Sequence, residues 1–254
     1  MHTRTPAGVR HPFSRPLALP MLVVALGLAA SPAAAAISFV KNVGTAAIGN
    51  ITGTTLTLTL GSGVSVPAGN AVIVSFTLDP KAGAITCADS KGNAYTADVD
   101  VTNGSGTNGA RTVIFHSLIT TALAAGNTIT VSHPNTKDRA MSANEFSGFA
   151  GGILVDQTAN GTGNDASPTT GPATTTTANE LLIGTAGVEA RAETFTPGTG
   201  YTALASIESG AGPGTRRVAV FPEYRIVAAI GTYVADGTLS AAAEWATGLA
   251  TYKT

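Results

Sequence analysis

Apolar and polar residues alternate along most of this chain in short runs that end in Gly, Asn, Asp or Pro, a period of two that predicts antiparallel strands joined by turns. The runs include "ISFVK", "TTLTLTL", "NAVIVSFTL", "AITCA", "AYTADVDV", "RTVIFHSLI", "TITVSH", "MSANEFSGF", "GILVDQT", "ELLIGTAGV", "YTALASIE", "RVAVFPEYRIV" and "EWATGLATYK". In "TTLTLTL", Leu56, Leu58 and Leu60 face one way and Thr55, Thr57 and Thr59 the other, so one face is core and the other is solvated. "NAVIVSFTL" begins apolar on both faces, which predicts a central strand between two covered surfaces. Helix signals are confined to "TTALAAGN" at 120–127 and part of "LSAAAEWATGLA"; in the second, Trp245, Thr247 and Gly248 favour a closing strand over the helix that alanine would prefer.

This pattern predicts an all-β chain folded as a two-sheet antiparallel β-sandwich of jelly-roll type. The stretch "TANGTGNDASPTTGPATTTTAN" at 158–179 lacks residues to bury and predicts a long surface connection or a flat polar edge. The two halves interleave in one domain, because neither carries a full set of strands.

Residues 1–36 change the picture of compartment. Arg4, Arg10 and Arg15 precede an apolar run from Leu17 to Ala30, and Ala34 and Ala36 form an A-x-A cleavage site. The run is shorter than the ~20 residues that a membrane span needs. The expectation is an exported, secreted or cell-surface protein whose mature domain is 37–254, with no membrane span. Removing three Arg from the 14 Lys and Arg leaves 11 basic residues against 15 acidic ones, a net charge of −4 with no basic block, which argues against nucleic acid or an anionic membrane as a partner. The single cysteine, Cys87, permits no internal disulfide and reads as a small buried residue.

Candidate chemistry is sparse. "DSKGNAYT" at 89–96 gathers Asp89, Gly92 and Asn93, but Lys91 occupies an alternate position and no Glu closes the loop, so the reading is a hairpin turn in which "AITCA" pairs with "AYTADVDV". Calcium is the one cofactor these residues suggest, with Asp89, Asp98 and Asp100 as its candidate ligands; Asp98 and Asp100 lie two apart on one strand face, ~7 Å from each other, a spacing that reads first as a solvated face. No G-x-S-x-G, H-E-x-x-H or phosphate-cradling motif is present. Glycan binding asks for less: an exposed ring and a few polar groups suffice, and Tyr201, Trp245, Arg216 and Arg217 are the candidate ligand-binding residues, although the face Trp245 shares with Ala243, Thr247 and Leu249 reads first as core and the two arginines first as a solvated loop.

"DSKGNAYT", "NEFSGF", "NELLIG", "EYRIV" followed by "GTYVADGTLS", and "EWATGLATYK" together resemble a group of exported bacterial β-sandwich modules found alone or attached to larger cell-surface and secreted proteins. The resemblance runs from about residue 40 to the end. It implies the sandwich fold and a hairpin role for "DSKGN", and it implies no catalytic activity and no site residues. The leading expectation is a secreted non-catalytic protein that binds a polysaccharide or cell-envelope surface. A self-assembling layer or filament subunit using "ISFVKNV" to complete a neighbour's sheet is the second. A jelly-roll lyase or hydrolase using Asp98, Asp100, Glu145 or His116 is the third.

Overall fold

The structure is a computed structural model that describes residues 1–4, 7–8, 36–190, 193–210 and 217–254. By its internal contacts the chain divides into Met1–Ala33 and Ala34–Thr254. Most of residues 1–36, the expected leader, lies outside the described residues, and the strands belong to the second unit.

Its central sheet has the order β1 (Ser38–Ile48), β8 (Arg139–Ser147), β3 (Ala71–Leu78), β6 (Asn108–Leu118) and β5 (Thr96–Ser105), antiparallel throughout. A second large sheet runs β9 (Leu154–Asp165), β18 (Ala243–Lys253), β11 (Glu180–Ala190) and β15 (Arg217–Val227), with the short β13 (Thr202–Ala203) and β14 (Ile207–Glu208) along the far side of β15. A third sheet has β2 (Gly53–Thr59), β7 (Thr128–Thr136) and β4 (Thr86–Asp89). Two small ribbons, β10 (Ala173–Thr174) with β16 (Thr232–Tyr233) and β12 (Phe195–Pro197) with β17 (Gly237–Leu239), complete the set. The all-β sandwich that the alternation predicts is therefore present, and it carries an added three-stranded layer.

That layer explains why β3 is buried along its whole length. Val72, Val74, Phe76 and Leu78 pack with Leu56, Leu58, Ile129 and Val131 of the small sheet. Ala71 and Ile73, on the opposite face, pack with Leu181, Ile183 and Tyr252 of the second large sheet. Full burial of each large apolar side chain contributes roughly 1.5–3 kcal/mol, so a strand covered on both faces anchors the domain. The two large sheets approach closely at Gly187, where a Cβ would lie 2.0 Å from Thr112 Oγ1 and 2.6 Å from Thr77 Oγ1. Alanine has no room there.

The outer face of the second sheet is also covered. Trp245, Val188, Phe221 and Leu239 form one cluster beneath the ribbons, and Leu182, Leu249, Val227 and Ala235 another.

Two local expectations are overturned. Among the described residues nothing is helical: 120–127 is an irregular turn held by the Val66↔Leu123 bridge and by Asn127, whose Oδ1 accepts the Ala124 N–H at 2.9 Å. A short alanine-rich run cannot repay helix nucleation when tertiary contacts offer an alternative. "AITCA" does not pair with "AYTADVDV"; β4 joins β7 in the small sheet while β5 joins β6 in the central one, leaving one bridge between Ala88 and Ala94. Of the two readings of 158–179, the polar edge holds for residues 158–165, which belong to β9, the edge strand of the second sheet.

Candidate functional site

The "DSKGNAYT" loop is a corner between two sheets. Asp89 Oδ1 accepts the N–H groups of Lys91 (2.8 Å) and Asn93 (3.1 Å), while Oδ2 accepts from Asn93 Nδ2 (2.8 Å) and the Tyr95 hydroxyl (3.3 Å). Gly92 sits at φ +79°, in the left-handed region that glycine adopts without strain. Asn93 is buried, and its Oδ1 accepts the N–H groups of Thr120 (2.9 Å) and Thr121 (2.8 Å), tying the corner to the loop after β6. Both Asp89 oxygens are thus occupied in building the turn. Burial, reinforced by Asp89, pushes the neighbouring Cys87 thiol up to about 12, which keeps it protonated and unreactive.

Asp98 and Asp100 do not act as a pair. A bulge between Ala97 and Val99 shifts the register of β5 against β6, and bulges re-aim side chains. Asp100 receives a two-pronged contact from Arg111, Nε to Oδ1 at 2.7 Å and Nη2 to Oδ2 at 2.6 Å. The remaining Arg111 nitrogen holds the carbonyls of Lys81 (2.5 Å) and Gly83 (2.9 Å). Asp98 instead lies between the large sheets: both its oxygens are 2.8 Å from His116 Nδ1, and Oδ2 accepts the Tyr252 hydroxyl at 2.6 Å. Among the described residues no three His, Cys, Asp or Glu side chains gather as a metal site, so the three aspartates do not converge on calcium.

An imidazole oriented by a carboxylate is the arrangement a general base requires. No hydroxyl or thiol nucleophile bonds to His116 among the described residues; its partners are Asp98 and the edge of the Tyr252 ring, centroids 5.6 Å apart. Tyr252 is fully buried, and burial first and Asp98 second raise its hydroxyl pKa well above the ordinary value. The trio is a polar clamp across the sandwich. Glu145 is placed elsewhere, fully buried on β8 between Asn70 and Lys41.

The ligand-binding candidates separate as well. Trp245 is only 3 % exposed, lies against Gly163, where a Cβ would be 2.3 Å from its ring, and donates Nε1–H to Asp165 Oδ1 at 3.2 Å. It is core, not an exposed platform, because its strand is covered by the ribbons. Arg216 lies outside the described residues. Arg217 pairs with Glu208 at 3.1 Å. Tyr201 is half-buried, its hydroxyl enclosed without a hydrogen bond, and burial first and Glu223 second raise its pKa. Glu223, which sequence reasoning did not single out, is 2 % exposed with Oε2 unbonded. Burial, with the nearby Asp236 carboxylate adding to it and the Gly198 N–H opposing, pushes its carboxyl up to about 8. Nothing in the alternation of "EYRIV" marked it, since the cover over that strand comes from residues distant in the chain.

The outward face of the small sheet is the regular surface of the molecule. Register aligns Thr55, Ser132 and Thr86 in one row and Thr57, Thr130 and Ala88 in the next. Thr59 and Thr128 continue into a third, where Ser90 Oγ accepts the Thr128 N–H at 3.1 Å. The Thr57 and Thr130 hydroxyls are 3.0 Å apart. Side chains repeat ~6.7 Å along each strand and ~4.8 Å between strands, and none of these nine is charged. The leucine–threonine alternation of β2 carried the signal for its part of this face; the contributions of β7 and β4 depended on register.

Compared with protein families, curated proteins and solved structures, the chain matches none.

Proposed function

We propose that this chain is an exported, non-catalytic β-sandwich that binds an uncharged polysaccharide surface of a cell envelope or matrix through the outward face of β2, β7 and β4. The observation that carries the reading is the uncharged, hydroxyl- and methyl-bearing array of three strands. Such a face offers many weak hydrogen bonds and methyl contacts at fixed spacing, which suits an extended neutral polymer better than a small charged ligand. The resemblance to exported β-sandwich modules supports the same compartment and the absence of chemistry.

The test is co-sedimentation of the mature protein with insoluble neutral polysaccharides, beside the variant Thr57→Glu/Thr130→Glu. Binding by the parent protein and its loss in the variant, with unchanged melting temperature, is the expected result. Equal binding by both proteins would remove this face from consideration.

Self-association is the second reading, favoured by Val40, 43 % exposed on the edge strand β1. Residues 38–48 already pair with β8 of their own chain, so a neighbour would add to this edge without receiving the strand itself. Light scattering that shows assembly of the parent but not of Val40→Lys would favour it over polysaccharide binding.

A further inference from the structure

Three side chains on the central sheet form a cluster that neither packing nor the proposed binding face uses. Lys41 on β1 and Glu145 on β8 are directly opposed in register, and Asn70 is the residue that leads into β3, the next strand along. Glu145 Oε1 accepts Asn70 Nδ2–H at 2.6 Å. Its Oε2 lies 3.2 Å from Lys41 Nζ, yet is buried and completes no hydrogen bond of good geometry. The Glu145 side chain is 1 % exposed and that of Lys41 37 %. The backbone of Asn70 is fixed too: its carbonyl accepts the Ile119 N–H at 2.9 Å. A buried carboxylate held by one amide hydrogen bond and one half-exposed ammonium is a costly group to keep for packing alone.

We propose that Lys41 and Asn70 form an intramolecular isopeptide bond, with Glu145 as the proton carrier between them. One oxygen of Glu145 faces the amine that must lose a proton and the other faces the amide nitrogen that must leave. Oε2 takes a proton from the Lys41 ammonium, and the freed Nζ attacks Asn70 Cγ. Glu145 then delivers the proton to Nδ2, the Cγ–Nδ2 bond breaks, and nitrogen departs as ammonia. The adduct loses its second Nζ proton, so that the lysine ammonium and the carboxamide become a secondary amide plus one ammonium ion. No oxidant, metal or cofactor enters the balance. The bond would tie edge strand β1 to β3 across β8, closing a covalent loop over 41–70 and preventing the edge from peeling away.

Mass spectrometry of the mature protein tests this directly. No Lys or Arg occurs between Asn42 and Pro80, so trypsin ordinarily separates the segment ending at Lys41 from the one carrying Asn70. The expected result is an intact mass lower than that of the sequence by one ammonia, no tryptic cut after Lys41, and two pieces that stay joined when a second protease cuts within 42–69. Glu145→Gln, which keeps both reacting partners, and Asn70→Ala should each restore the full mass and the cut. Full mass with normal cleavage in the parent protein overturns the proposal whether or not the variants fold. An ammonia loss without joined pieces, as from cyclised asparagine, overturns it as well.

Discussion

The two faces of the central sheet are packed differently. Toward the small sheet, β3 presents Val72, Val74, Phe76 and Leu78 to leucine, isoleucine and valine, and this interface is held by apolar burial. Toward the second large sheet the same strand presents Ala71, Ile73, Ser75 and Thr77. There Ile73 still packs with Leu181, Ile183 and Tyr252, but at Ser75 and Thr77 small residues and buried hydrogen bonds take over: Ser75 Oγ lies 2.7 Å from Thr185 Oγ1, and Thr112 Oγ1 donates to the Ala246 carbonyl at 2.7 Å. The difference teaches that one strand can serve a deep apolar core and a close, polar sheet-to-sheet contact at once, because period two separates the two sets of side chains.

Phe76→Ala tests the apolar side and has the largest expected effect, a loss of about 3–5 kcal/mol of unfolding free energy in urea denaturation, since it opens a cavity in a fully buried site. A loss below about 1 kcal/mol would mean that the small sheet contributes little to the core. The polar side is sharpened by a pair of variants. Ser75→Ala strands the buried Thr185 hydroxyl and should cost about 1–3 kcal/mol, whereas Ser75→Ala with Thr185→Val replaces both partners and should recover most of that. If the double variant is worse than the single one, shape and not hydrogen bonding governs that contact.

A pH slope from the covered outer face of the second sheet is the third test. Glu223 titrates at about 8 when folded and near 4.5 otherwise, so between those values the folded chain holds a proton that the unfolded chain has released. Stability should therefore decline as pH rises from about 5 to 8 and level off above, and Glu223→Gln should flatten that part of the profile. Melting temperatures of both proteins across this range check it; parallel profiles would show that Glu223 is solvated or paired.

The strands and the corner at Asp89 were legible because each rests on neighbours in the chain. Leu56, Leu58 and Leu60 are buried and Thr55, Thr57 and Thr59 exposed, as their alternation requires. Asp89 and Asn93 hydrogen-bond within their own turn, which the turn chemistry of those residues anticipates. The position of Asp98 was not legible, since a bulge moves one residue out of step without any residue type that announces it. Glu223 was passed over for a related reason: exposure on a strand face depends on whether another layer covers it.

What the sequence by itself determined is the material and its local order: strands, turns, an interior face for most of them, low charge and the absence of any motif for metal, nucleotide or nucleophile chemistry. Local order follows from steric preference and period-two alternation, which act over a few residues. Tertiary structure decided which strands became neighbours, that β4 turns to β7 instead of β5, and that Lys41, Asn70 and Glu145 converge on one side of the central sheet. Strand pairing is chosen by the burial of whole faces against one another, and residues scores of positions apart share in that choice without leaving a mark in any one segment.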